Sequence, residues 1–210
     1  MQALYLYGAG GHAAVVADLV RAVGQYELIG LIDDNPLLAG QERFGHRVLG
    51  DRQALSPQKA DQLVLAVGDN HARLRLSSEL TGWRFPTLIH PSAVIGSDVS
   101  IGAGTVVMPG AIIEYGVTIG EHCIINNGAV IGHQSHIGGF CHVSGNSALG
   151  GRVTLERCVF VGMGAVVTPG VTVAKNCLLT AGSMTSKDVA EGATVLGNPG
   201  RPFFNRREME

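Results

Sequence analysis

The sequence predicts an α/β domain over residues 1–90, a parallel β-helix over residues 91–185 and a C-terminal cap and tail over residues 186–210. Three observations carry this reading. From Ile95 every sixth residue is a branched aliphatic: Ile101, Val107, Ile113, Ile119 and so on without a break to Leu179, fifteen positions in all. Two residues before each stands a second series, from Ala93 and Val99 to Val171 and Cys177, made only of Ala, Val, Thr, Ser and Cys. A fixed six-residue period marks a parallel β-helix, in which each hexad is one side of a coil and the paired series fill its interior. Over the first ninety residues, by contrast, apolar runs of strand length alternate with helical spacing, the pattern of a parallel sheet covered by helices.

In chain order, Ala3–Tyr7 reads as a buried strand, Gly8-Ala9-Gly10-Gly11-His12 as a tight turn, and Ala13–Val23 as a helix with apolar spacing at Val15, Val16, Leu19, Val20 and Val23. Glu27–Ile32 is a second strand closed by the turn signal Asp33-Asp34-Asn35-Pro36. Val48-Leu49 is a weak strand and Leu63–Val67 a strong one, followed by Gly68-Asp69-Asn70, a helical segment over His71–Leu80 and a last strand over Phe85–Ile89. The result is about half of a doubly wound dinucleotide fold. His90-Pro91-Ser92 is the expected joint. Fifteen hexads at three per coil make five coils. After Leu179 the period fails, because Thr185 occupies the next aliphatic slot, and Pro202–Glu210 reads as a loose polar tail.

Composition narrows the function classes. A net charge near −2 with 15% charged residues argues against a non-specific nucleic-acid or anionic-membrane surface. No apolar run approaches a membrane span, and Met1 leads directly into a strand, so a cytoplasmic protein is expected. Cys123, Cys141 and Cys177 belong to the small interior series, Cys158 is expected to point outward, and no CxxC spacing suggests a metal.

Three stretches carry candidate chemistry. Gly8-x-Gly10-x-x-Ala13 lies between a strand and a helix, with Asp33 ending the next strand, as in turns whose backbone N–H groups approach phosphates. The competing reading is a tight βα turn without a ligand. The domain's small size suits a mononucleotide better than a dinucleotide, which weakens an NAD-dependent enzyme. The histidines His122, His133, His136 and His142 are the second set. In an 18-residue coil His133 and His142 sit half a circuit apart, so they meet only between neighbouring chains, which suits a cyclic trimer. The third is Gly197-Asn198-Pro199-Gly200-Arg201, either an exposed turn or a loop meeting a ligand's phosphates.

With the hexads, Tyr7-Gly8-Ala9-Gly10-Gly11-His12, Leu31-Ile32-Asp33-Asp34, His133 and the Gly-Asn-Pro tail together, the chain resembles the bacterial sugar O- and N-acyltransferases of the sialic-acid O-acetyltransferase type. Within them it is most similar to the N-acetyltransferases of UDP-4-amino-sugars in bacillosamine synthesis. The resemblance implies a left-handed β-helix, acetyl-CoA as co-substrate, no metal, a nucleotide-activated amino-sugar as acceptor and a homotrimer with sites at its seams. It implies substrate contacts at Gly10, Gly11, His12, Asp33, Asp34, Gly68 and Asn70, a catalytic base at His133, and acetyl-CoA contacts at His142, Gly151, Met163 and Ala181. The acidic residue that commonly follows the family's base is here Gln134, which orients the ring but adds no charge. A neutral amine tolerates a weaker base than a hydroxyl, which favours N-acetylation. A sialic-acid-type O-acetyltransferase and a non-catalytic trimeric sugar-nucleotide binder are the alternatives.

Overall fold

The computed structural model describes residues 1–53 and 62–203. The chain forms two compact units, Met1–Pro91 and Ser92–Glu210.

The first unit holds β1 (Gln2–Tyr7), α1 (Gly11–Val23), β2 (Tyr26–Ile32), β3 (Glu42–Arg43), β4 (His46–Gly50), β5 (Gln62–Leu65), α2 (Asn70–Glu79) and β6 (Leu88–Ile89). The sheet order is β3-β4-β2-β1-β5. Strands β4, β2, β1 and β5 are parallel, and β3 is an antiparallel hairpin partner of β4. Leu4, Leu6, Leu31, Val48, Leu63 and Val64 are wholly buried along it. The face that α1 buries is Ala13, Val16, Ala17, Leu19 and Val20, whereas Val15, expected inside, is 41% exposed. Ala13, Val16, Ala17 and Val20 follow the i, i+3, i+4, i+7 spacing of one helix face, and Val15 falls off it. Two expectations change: β5 stops at Leu65, and β6 covers only Leu88–Ile89 and has no place in this five-stranded order.

The chain leaves β1 through α1 to β2 on one side and returns through β5 to the other side of β1. Neighbouring strands whose connections diverge in this way open a crevice at their carboxyl ends. Gly8 occupies that edge at φ +118°, and a Cβ there would stand 2.7 Å from the Ala66 carbonyl oxygen, so no other residue fits the turn without displacing backbone.

The second unit is a parallel β-helix with three faces. Strands eighteen residues apart pair in register, as Ile113 with Ile131 and Ile131 with Leu149. The first face runs from Val94–Ile95 through Ile112–Ile113, Val130–Ile131, Ala148–Leu149 and Val166–Val167 to Met184–Thr185. The second runs from Ser100–Ile101 to Thr172–Val173 through His136–Ile137, and the third from Val106–Val107 through His142–Val143 and Phe160–Val161 to Thr194–Leu196. The aliphatic ladder and the small series fill the interior, with Ile113, Ile125, Ile131, Val143, Leu155 and Val161 fully buried.

Each corner turns on a left-handed residue at a six-residue interval, and eight of these are not glycine: Asp98, His122, Gln134, Phe140, Asn146, Arg152, Cys158 and Asn176. Carbonyls at the corners bond to the coil above, as Gln134 N–H to Tyr115 O at 2.8 Å and Arg152 N–H to His133 O at 2.8 Å. Fixed backbone bonds to the next coil hold these residues in a conformation they seldom adopt.

The hydrogen-bonded ladder outlasts the aliphatic pattern. Met184–Thr185 pairs with Val166–Val167, with Thr185 only 3% exposed, and Thr194–Leu196 pairs with Leu178–Leu179. A sixth strand on the first face therefore extends the helix beyond five coils. Arg201–Phe203 is an antiparallel strand on Thr194–Leu196 rather than loose tail, and the remainder of the expected tail, 204–210, lies outside the described residues. Cys158 corrects a second expectation, being 4% exposed. It occupies a corner slot one coil above Phe140, whose ring stacks on His122 at 5.1 Å with Arg157 over it at 4.8 Å, so this corner carries a buried column. All four cysteines are buried thiols, and burial raises the pKa of Cys141 and Cys177, which suits packing and not nucleophilic chemistry.

Candidate active site

At the crevice of the first unit, Gly10 caps α1 with extended backbone, and a Cβ at either Gly10 or Gly11 would meet nothing within 4 Å. The helix N-terminus thus has no side-chain cap among the described residues, the kind of terminus whose backbone N–H groups suit an anion. Across the crevice, Asp69 caps α2 by accepting the Ala72 N–H at 2.7 Å, and Gly68 and Asn70 line the same edge.

The residue that fastens the loop between β5 and α2 is Arg73, which the sequence reading missed. It is 1% exposed and donates to the carbonyls of Val67 at 3.0 Å and Gly68 at 2.9 Å and to Asn70 Oδ1 at 2.8 Å. Its spacing within α2 gave no signal, since an arginine there reads as solvated. His12 stands in its field: burial first, and Arg73 second, lower the imidazole pKa to about 4. His12 is therefore a neutral ring at physiological pH, able to donate one hydrogen bond and accept another.

Asp33 and Asp34 separate into different tasks. Asp33 accepts the Ala9 N–H through Oδ2 and the Asn35 N–H through Oδ1, both at 2.9 Å, and so fastens the phosphate-type turn to the end of β2. Asp34 pairs with Arg52, which also bridges to Glu79, and that pairing lowers the Asp34 pKa. Burial, with the neighbouring Asp34 carboxylate, raises the Tyr7 phenol above its ordinary value.

In the second unit the structure divides the expected residues between two corners. His133, Gln134 and Gly151 share the corner between the first and second faces. A Cβ on Gly151 would lie 2.5 Å from His133 Nε2, so glycine is what leaves room for the ring one coil below. The Gln134 amide oxygen is 3.3 Å from His133 Nδ1. With the Gln134 oxygen as acceptor, the pairing matches the tautomer with the proton on Nδ1, which leaves Nε2 its lone pair. Glu114, also unforeseen, accepts the His133 backbone N–H at 2.8 Å and fixes the base of that corner.

Met163 and Ala181 stack on the corner between the third and first faces, linked by Gly182 N–H to Met163 O at 2.9 Å. Met163 is 66% exposed there. His142 lies on the third face, 9% exposed, against the edge of Phe160 at 4.9 Å and 67°. Asn126 Nδ2 is 3.3 Å from His142 Nε2. His136 is exposed on the second face and pairs with Thr118 at 2.7 Å. Among the described residues no cluster of three or more His, Cys, Asp or Glu gathers to hold a metal, and no helix is long and apolar enough to cross a membrane.

Two family models match in tandem: the PglD N-terminal domain over residues 3–80 and the GMPPB C-terminal domain over residues 86–183. The chain is 34% identical over 112 residues to the UDP-N-acetylbacillosamine N-acetyltransferase of Bacillus subtilis, a match covering 50% of this chain and 51% of that protein. The chain thus spans about half the length of that curated relative. Among solved structures, PerB from Caulobacter crescentus, in complex with CoA and GDP-perosamine, matches with TM-score 0.90 and 34% identity over 97% of this chain and 98% of that one. The chain belongs to the sugar N-acyltransferases with a left-handed β-helix. The acetyltransferase domain of PglB from Neisseria gonorrhoeae shares this acyltransferase architecture at TM-score 0.89 and 31% identity, covering 97% of this chain and 100% of that one. The matches give the coil its left hand, against the right-handed preference of ordinary crossover connections.

Proposed function

We propose that the protein transfers the acetyl group of acetyl-CoA to the amino group of a nucleotide-linked 4-amino-sugar. The observation that carries this is the end-to-end match to an N-acetyltransferase whose structure holds CoA and GDP-perosamine. The first unit supports it with a helix N-terminus that no described side chain caps, suited to a diphosphate, and a neutral His12 beside it. On this reading Gly10, Gly11, His12, Gly68 and Asn70 meet the nucleotide sugar. Asp33 shapes their turn, and Asp34 with Arg52 borders the base and ribose.

His133 serves as general base. Its Nε2 lone pair takes the proton as the amine nitrogen attacks the thioester carbonyl, and the C–N bond forms while the C–S bond breaks. The proton then passes to the departing thiolate. Gln134 holds the ring's tautomer. The edge bearing His142, Met163 and Ala181 suits an extended thioester arm: its corner slots are small at Gly145 and Ala181, with one exposed apolar side chain at Met163.

The outward residues of the first face, Val94, Ile112, Val130, Ala148, Val166 and Met184, form an apolar stripe, with Val94 59%, Ile112 39% and Val166 42% exposed. The second face carries Ser100, Thr118, His136, Thr154 and Thr172 at the same positions. A monomer has no use for such a stripe. In a homotrimer with the first face turned to the axis, the two edges of that face meet their opposites on neighbouring chains. The His133 corner of one protomer then approaches the Met163 corner and His142 of the next, which brings the divided residues into one seam.

A cytoplasmic location accords with the metabolic thioester donor. The decisive experiment is a transfer assay with acetyl-CoA and GDP-, UDP- and dTDP-linked 4-amino-sugars, following CoA thiol release and product mass. Thiol release with one of these sugars, and none with its 4-hydroxy analogue, is expected. Thiol release with the 4-hydroxy sugar alone would replace N- by O-acetylation.

A further inference from the structure

The third face of the helix holds a pair of side chains whose hydrogen-bonding sense is fixed by their neighbours. Asn126 Oδ1 accepts the backbone N–H of Asn127 at 2.9 Å. The orientation of the amide follows from this contact, since its NH2 end turned that way would set donor against donor. The Asn126 Nδ2 group therefore faces His142, at 3.3 Å from Nε2. An amide nitrogen donates and does not accept, so Nε2 must be the lone-pair nitrogen and the ring proton resides on Nδ1.

The ring has little freedom to escape this arrangement. His142 is 9% exposed, its strand pairs in register with Ile124 below and Phe160 above, and the Phe160 ring meets it edge-on at 4.9 Å. Asn126 is equally constrained, its N–H bonded to Val143 O at 2.9 Å and its carbonyl accepting the Ala129 N–H at 3.1 Å. Donor, ring and clamp all belong to adjacent coils of one chain.

We infer that Asn126 is a positioning residue: it holds His142 as the Nδ1–H tautomer and so sets which ring nitrogen is presented to the acyl donor as a hydrogen-bond donor. This rests on the reading of His142 as an acyl-donor contact. It assigns the two histidines complementary duties. His133 needs an open lone pair for a proton, while His142 needs a fixed N–H for a carbonyl oxygen that gains negative charge. One neutral amide, Gln134 or Asn126, sets each tautomer from a different side of the ring.

The test is long-range 1H–15N NMR on the full chain labelled with 15N-histidine, at about pH 8, where a free imidazole is neutral. The His142 signals are assigned by their loss in His142→Gln. The expected wild-type result is a proton on Nδ1 and a lone-pair nitrogen at Nε2. Asn126→Asp keeps an oxygen for the Asn127 N–H but turns a second oxygen toward Nε2, so the ring must place a proton there. Reversal of the tautomer, or a doubly protonated ring, is expected, with kcat lower by about 10²-fold, the order seen when one oxyanion donor is lost. Asn126→Ala removes the partner without adding a charge and should give mixed tautomers.

A wild-type ring protonated on Nε2 overturns the inference, and that measurement needs no variant to fold. A wild-type tautomer that persists in Asn126→Ala overturns it as well, since something other than Asn126 then fixes the ring. Tautomer reversal with kcat and the acetyl-CoA KM unchanged would instead remove His142 from the acyl-donor site, leaving Asn126 as its tautomer-setting neighbour.

Discussion

Acid should weaken the first unit through one ring. The folded protein holds His12 near pKa 4, because burial and then Arg73 oppose its charge, whereas an unfolded histidine titrates near 6.5. Between those values the unfolded chain binds a proton that the folded chain refuses. Stability therefore falls as pH drops from 6.5 toward 4, and this contribution is fully present only above 6.5. The gap of roughly 2.5 units, at about 1.4 kcal/mol per unit, sets an upper bound of about 3.5 kcal/mol, and the part of the ring that remains accessible lowers it from there. The chain's one tryptophan, Trp83, packs edge-on against Tyr5 at 5.7 Å within this unit, so its fluorescence reports the right transition. Urea unfolding followed at Trp83 should show wild type losing more stability than His12→Gln across that window, with the two curves parallel above pH 7. Carboxylates and the other histidines contribute equally to both proteins. Identical slopes from pH 6.5 to 4 would mean that the folded ring accepts its proton normally, and the account of a neutral His12 would fail.

Three further outcomes follow from the geometry. Arg73→Met leaves the carbonyls of Val67 and Gly68 and the Asn70 amide without their donor. It should cost about 3 kcal/mol in the Trp83 transition and raise the KM for the nucleotide sugar more than that for acetyl-CoA. Gly151→Ala places a methyl 2.5 Å from His133 Nε2 and must push the ring aside. A drop in kcat of about tenfold or more is expected in the transfer assay, with nucleotide binding by calorimetry unchanged. Ile112→Glu sets a charge in the apolar stripe of the first face; if the proposed trimer packs through that stripe, sedimentation should show trimer for wild type and monomer for the variant, and transfer activity should be lost with it.

The fold was legible where residues repeat and opaque where one residue acts through another. Hexads announced the helix because a coil interior admits only aliphatic and small side chains, and those are readable one by one. The end of the helix was harder to see, because Thr185 enters the interior as a hydroxyl and the ladder there is kept by backbone bonds that carry no sequence mark. Cys158 was misplaced outward because a left-handed corner can also fold its side chain into a column, here with His122 and Phe140 beneath it. Of the candidate site, the glycine turn follows from local spacing, whereas His133 was singled out among the coil histidines by the family resemblance. Glu114 and the pairing of Asn126 with His142 do not follow from spacing, since each depends on which residues lie one coil away, and Arg73 does not, since nothing in its spacing marks a guanidinium folded back onto the loop before α2. Asp33 shows the same limit from the other side: its position at the end of β2 was plain, but its bonds to Ala9 and Asn35 were not.

The in-register pairing of strands eighteen residues apart makes the second unit a ruler with a fixed grain. Loss or gain of a single residue between Ile95 and Leu179 would turn every later interior aliphatic toward solvent, as a one-place slip does in any strand. Six residues would keep the inside inside but rotate all later side chains onto the next face, parting His133 from Gly151 wherever the change fell between them. Only eighteen preserves both faces and corners. Such a chain has room to vary its reach along the axis by whole coils, and almost none to vary it by less.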